Sequence, residues 1–199
     1  GFDSKNNEVL FSFLEREVVQ GENAQTSLEV KLAETLVYSE TTGTFTSFYD
    51  FASPFLIDTQ DKLLSIHPAH GHNAFLHNVG APGEWYGVAH DSVLDFIVND
   101  SPTQTKTFDA FTWHTETVPG ETWTRVICFT DYQDSTGGEL VPDENVFRRE
   151  RTWRTPVPRA KDLSRLRDKY LISRFIYENA RGHKFKAHYI ETRFRVSKR

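Results

Sequence analysis

The chain has 199 residues, enough to bury a sizeable core in one or two domains, and its aromatic content of 14% with 16 phenylalanines excludes disorder over most of its length. No apolar run approaches the ~18 residues of a membrane-spanning helix, and the start, GFDSKNNEVLF, has neither the basic nor the apolar region of a signal peptide. A single cysteine, Cys128, excludes an internal disulfide and a cysteine-rich zinc site, and with no methionine the sequence reads as a fragment or processed product of a longer chain.

In chain order the pattern is mostly strand. Residues 9–14 form an apolar run after the turn pair Asn6-Asn7. Residues 34–39 alternate, residues 46–51 follow the turn 41–44, and residues 63–66 resume after Pro54 and the polar stretch 58–61. Residues 15–33 fit less well and read as a longer loop or an inserted hairpin around Gly21. The runs EVLFSF, ETLVYS, TSFYDF, KLLSIH and NAFLHN recur at hairpin spacing, as the strands of a four-stranded propeller blade do. Residues 1–84 are therefore expected to be the terminal, blade-like strands of a β-propeller.

Residues 85–88, 92–99, 106–117 and 122–131 also read as strands, separated by Pro82-Gly83, 99–102, Pro119-Gly120 and Gly137-Gly138. Leu163 and Leu166, three apart in KDLSRLRDK (161–169), suit a short helical turn. Residues 170–178 alternate, with Leu171, Phe175 and Tyr177 on one face and Arg174 and Glu178 on the other. After Ala180-Arg181-Gly182, residues 184–196 return with Ile190, Thr192, Phe194 and Val196 on one face and Arg193 and Arg195 on the other. Residues 85–199 are expected to form a β-sandwich-like or barrel-like module ending in a basic hairpin. The fold class is thus mainly β and antiparallel, with little helix.

Charge is segregated. Residues 1–147 carry six Lys and Arg against 23 of the 28 acidic groups, a net −17, while residues 148–199 carry 17 basic and five acidic groups, a net +12. Such asymmetry points to a charged partner or to the two halves facing each other or neighbouring subunits. Its densest part is Phe147-Arg148-Arg149-Glu150-Arg151-Thr152-Trp153-Arg154, which alternates as one strand would, with Arg149, Arg151 and Trp153 on one face and Arg148, Glu150 and Arg154 on the other. Guanidinium groups bind carboxylates and phosphates in bidentate fashion. Arg148, Arg149, Arg151, Trp153 and Arg154 are the candidate interface residues, expected to meet acidic groups of residues 1–147 or of a neighbouring subunit.

Other chemistry is sparse. His67, His70 and His72 form H-x-x-H-x-H in a loop, with His77 or His90 as a third or further ligand, but the spacing is not that of a helical zinc protease and a Cys/His set of four is missing. Asp91 and Asp95, with Glu116 or Glu121, would be a carboxylate pair only if the fold joined them; in alternating strands they read as solvent-facing. Cys128 lies in the strand-like Val126-Ile127-Cys128-Phe129 and reads as a small hydrophobe. Neither a G-x-S-x-G elbow nor a phosphate-binding glycine loop occurs. Trp85, Trp113, Trp123 and Trp153, with Tyr86 and Phe111, suit either core packing or a platform for sugars or bases. No catalytic, cofactor or metal residue is expected.

The runs FDSKNNEVLFSF, ETLVYSETTGTFTSFYDF and LLSI resemble the blade-like segments of tail nozzle proteins of short-tailed phages, and in particular the tail muzzle, or stabilisation, proteins of crAss-like phages. The runs YGVAHDSVLDFIVNDSPTQTKTFDAFTWHTE, FRRERTWRTPVPR and RLRDKYLISRFIY are similar to the strands that follow the propeller in that family. The resemblance covers most of residues 2–196 and is weakest at 15–33 and 132–142. It implies the C-terminal portion of a structural virion protein, assembled in the bacterial host cytoplasm. Such a protein forms a ring with copies of itself and with other tail proteins at the distal end, where DNA is conducted or held. A carbohydrate-binding or glycan-cleaving β-domain at the tail tip is the alternative.

Overall fold

The structure is a computed structural model that describes residues 1–20, 26–49, 51–67, 72–135, 138–179 and 181–197. Among the described residues there is no helix; the strands pair antiparallel in several sheets, none of them closed. The chain divides into two compact units.

One unit comprises Gly1–Gly80 with Glu84–Val88. Its first sheet is a meander of β1 (Phe2–Asp3), β2 (Glu8–Gln20), β3 (Thr26–Ser39) and β4 (Thr44–Tyr49), each strand paired with the next. The β2–β3 ladder runs from Glu8↔Ser39 to Gln20↔Thr26. The irregular stretch 15–33 is therefore mostly the far part of one long hairpin, and Gly21 lies outside the described residues. A register shift between Glu15 and Arg16 breaks the period-two pattern there, which is why the sequence looked unlike a strand. Asp3, buried, accepts hydrogen bonds from the Lys5 backbone N–H (3.1 Å) and the Asn6 amide (2.8 Å) and so ties the β1–β2 turn, where Asn7 takes φ 57°. The second sheet orders β5 (Leu56–Asp58), β6 (Leu63–Ile66) and β7 (Ala74–Leu76) side by side. Leu10, Val37 and Leu63 form the buried aliphatic centre. An aromatic group surrounds Phe51, whose ring lies 4.5 Å from Trp85 and 5.0 Å from His77.

Residues 85–88 are not one strand: Trp85 ends one short strand, Val88 begins the next, and Tyr86-Gly87 turn the chain between them. Tyr86 (φ 52°) and Gly87 (φ 81°) both take left-handed backbone between β8 (Glu84–Trp85) and β9 (Val88–Ala89), as a tight primed hairpin turn requires.

The other unit comprises Ala81–Gly83 and Ala89–Arg199. Its strands are β10 (Ser92–Val98), β11 (Lys106–Glu116), β12 (Arg125–Phe129), β13 (Gly138–Glu139), β14 (Phe147–Arg149), β15 (Thr152–Pro156), β16 (Arg167–Asp168), β17 (Leu171–Tyr177) and β18 (Lys186–Val196). One sheet has the order β10-β17-β12-β13; the other runs β14-β15-β11-β16, with β18 also paired to β11. The core draws on both. Phe111, Trp113 and Trp153 come from the second sheet, and Val126, Cys128, Leu171 and Phe175 from the first. Phe175, fully buried, meets the rings of Phe111 at 5.1 Å, Trp123 at 5.6 Å and Trp113 at 5.7 Å.

Two further expectations are corrected. Residues 170–196 do not form a hairpin: β17 pairs with β10 and β12, whereas β18 crosses to β11. Period-two alternation fixes which face a side chain takes but not which strand lies beside it. Residues 161–169 contain no helical turn. Leu163 takes φ 65° and is 74% exposed while Leu166 is buried, so the two leucines share no face.

Candidate functional site: an arginine-lined groove

The densest basic segment folds as a hairpin. Arg149 pairs with Thr152, so Glu150 and Arg151 form the two-residue turn, and Glu150 takes φ 57°. The turn reverses the chain and regroups the side chains expected of one straight strand. Cross-strand partners share a face, which places Phe147, Arg149, Thr152 and Arg154 on one side and Arg148 with Trp153 on the other. Trp153 is 4% exposed and belongs to the core, with the Arg148 guanidinium 5.3 Å from its ring centre. Arg151 sits exposed at the turn.

The outward face continues across β11 onto β18. Ala110 has Pro156 on one side and Arg193 on the other, and Thr112 has Arg154 and Glu191. A register shift between Phe108 and Ala110 leaves Asp109 as an extra residue on β11. Such a bulge re-aims a side chain, and the Asp109 carboxylate reaches this face. It accepts Arg195 through Nε (2.7 Å) and Nη2 (3.0 Å), and Arg165 through Nη1 (2.7 Å). Hydrogen bonds from Arg195 come first among the causes that hold the Asp109 carboxyl below its ordinary range.

The result is a groove of about 740 Å³. Arg149, Arg154, Arg159, Arg165, Arg193 and Arg195 line it around the one carboxylate of Asp109, over a floor that includes Phe108, Ala110 and Val157. Glu191 lies in the adjoining hollow with Arg154 and Arg193. Among the described residues, Arg149, Arg154 and Arg193 have no carboxylate within 4 Å. Arg159 donates to the Leu163 carbonyl at 3.0 Å. Guanidinium forks over an apolar floor, three of them with no carboxylate within 4 Å among the described residues, suit an extended acidic ligand. Of the five residues chosen from sequence, Arg149 and Arg154 enter the groove. Arg159 and Arg165 were missed, because they come from the irregular segment after β15. Arg193 and Arg195 were seen to share a face, but the pairing of β18 with β11 that brings them here has no local signal.

The other candidates resolve individually. His67 lies beside the rings of Phe75 and Tyr86, and His70 lies outside the described residues. His77 is buried, with Nε2 bonded to the Ser65 hydroxyl; burial lowers its pKa. Asp95 is held by the Arg174 fork at 2.7 and 2.8 Å, and Glu121 by His183 at 2.9 Å and the Tyr177 hydroxyl at 2.9 Å. Trp113, Trp123 and Phe111, all buried, offer no platform to a sugar. Burial pushes the Cys128 thiol up to about 12, far from a nucleophile.

Residues 1–69 match the family model of the Crassvirus muzzle protein, and residues 80–160 match that of the Crassvirus muzzle protein C-terminal domain. No curated protein matches the chain.

Proposed function

Because the chain belongs to the Crassvirus muzzle protein family, and so is a structural component of a phage tail, we propose that it assembles with copies of itself into a ring at the distal tail, around the channel that conducts or closes the exit path of DNA. The observation that carries this reading is the groove in which, among the described residues, Arg149, Arg154 and Arg193 have no carboxylate within 4 Å. Phosphates would be gripped there, and a channel lined in this way would retard DNA. An acidic segment of a neighbouring tail subunit fits better, and the net −17 of residues 1–147 supplies such segments in every copy.

A second surface supports assembly. Phe11, Phe13, Phe45 and Phe48 on the β2–β3–β4 sheet are 46–66% exposed, an apolar face of the kind that marks protein contacts. The β1-β2-β3-β4 meander is the strand order of a propeller blade, and the two sheets that share the Phe175 core have the makings of a sandwich. Assembly would take place in the host cytoplasm, before the protein is built into the virion.

The test is the native mass of the chain beside that of the triple reversal R149E/R154E/R193E. A multimer for the parent and a monomer with an unchanged melting temperature for the reversal are expected. A reversal that leaves the multimer intact would remove the groove from the interface, and a monomeric parent would count against the ring.

A further inference from the structure

We propose that His114, Glu116 and His188, at the end of β11–β18 away from the arginine groove, form a binding site for a borderline divalent transition-metal ion, for which Zn²⁺ is the fitting occupant. His114 and Glu116 are two apart on β11 and so share a face. In an unbroken ladder His188 would point to the opposite side from its neighbour Tyr189, which pairs with His114. The ladder is not unbroken: Tyr189 pairs with His114 and Ala187 with Thr115, which leaves His188 as an extra residue. This bulge turns His188 toward the two β11 side chains. Its ring stacks on that of His114 with centroids 4.6 Å apart and planes 16° apart, and its Nε2 lies 3.1 Å from Glu116 Oε1.

One ligand atom from each of the three residues lies within 4.8 Å of the others. Tetrahedral zinc with bonds of ~2.0–2.1 Å needs its ligands ~3.4 Å apart. Stacked rings cannot both aim in-plane lone pairs at one ion, so binding has to open the stack; Glu116 and His188 are exposed and His114 is half-buried, which leaves the side chains room to turn. Two imidazoles and one carboxylate are a donor set suited to zinc. Three protein donors leave the fourth position to water. A single dication between them serves both nitrogens and the carboxylate. Lys186, the register partner of Glu116, is the cation that competes for that carboxylate.

The test is calorimetric titration of the full chain, first freed of metal with a chelator, using Zn²⁺ alone, together with melting curves. One equivalent should bind, and the melting temperature should rise by roughly 5–10 °C at one hundred times Kd. Binding should weaken at least tenfold in each of H114A, H188A and E116Q, and fade as acid protonates the imidazoles. H70A/H72A, in the loop motif, should bind as the parent does. E116Q changes an exposed group, so its far-ultraviolet spectrum should stay that of the parent, and Co²⁺ gives an independent visible-absorption readout. Absence of a saturable single equivalent, undiminished binding by E116Q and H188A, or binding lost in H70A/H72A would overturn the site.

Discussion

At the scale of the residue, the unit built around β10–β18 is held by aromatic packing and by buried polar groups with named partners. Phe175 touches rings from both sheets, so Phe175→Ala removes the shared contact and leaves a cavity; a loss of ~3–5 kcal/mol is expected by chemical denaturation. Cys128 is fully buried in β12 with its thiol pKa raised. A thiol reagent at pH 8 should leave the native chain unmodified and label one site once denaturant is added; rapid labelling of native protein would contradict the packing. Asp109 governs the acid response of the groove. Its folded pKa lies below its ordinary value of 3.8, so its contribution to stability is present above that value and lost as the pH falls through the depressed one. Asp109→Asn should lower the melting temperature at neutral pH and flatten the acid limb of the stability curve below pH 3.8. Residues of this kind were partly legible. The tryptophans sat in alternating runs, and three of the four are buried as core positions should be. The place of Asp109 was not legible, because the bulge that brings it to the groove has no clear mark in the sequence.

At the scale of the element, β11 organises the groove and the His114–Glu116–His188 cluster, and each depends on a register shift in its pairing with β18. Alternation revealed the strands themselves: β10, β11 and β17 fall within the predicted runs. It did not reveal the bulges, nor that β17 and β18 part into different sheets. The β14–β15 hairpin was hidden for another reason. Its turn is Glu150-Arg151, without the Gly or Asn that normally betrays one, and only Glu150 of the pair takes positive φ. A two-residue turn with positive φ at its first central position prefers glycine there. Glu150→Gly should therefore stabilise the chain by about 0.5–1 kcal/mol, the relief of left-handed strain exceeding the added freedom of the unfolded chain. A thermal melt measures it, and a fall in melting temperature would mean that the Glu150 side chain stabilises the turn by more than the strain it incurs.

At the scale of the whole molecule, the two compact units differ in the size of the core that each encloses. The first has a small aliphatic centre of Leu10, Val37 and Leu63 and leaves four phenylalanines exposed on one sheet face, as a part that relies on neighbours would. The second holds one continuous core, and strands β10 to β18 find their ladder partners among themselves. Its short leading segment is secured from within, the Asn179 amide donating to the Pro82 carbonyl at 2.9 Å. Lys106 does the same for the loop before β11: its side chain is enclosed and its ammonium donates to the carbonyls of Asp100 and Ser101. A chain of residues 81–199 should accordingly fold alone. It should melt cooperatively, with the near-ultraviolet signature of buried tryptophan and little binding of a hydrophobic dye. Residues 1–80, whose exposed phenylalanines lack cover, should bind the dye strongly. A broad, non-cooperative melt of the 81–199 chain would mean that its core needs contacts from outside the unit, and the pairing of β10 to β18 among themselves argues against that.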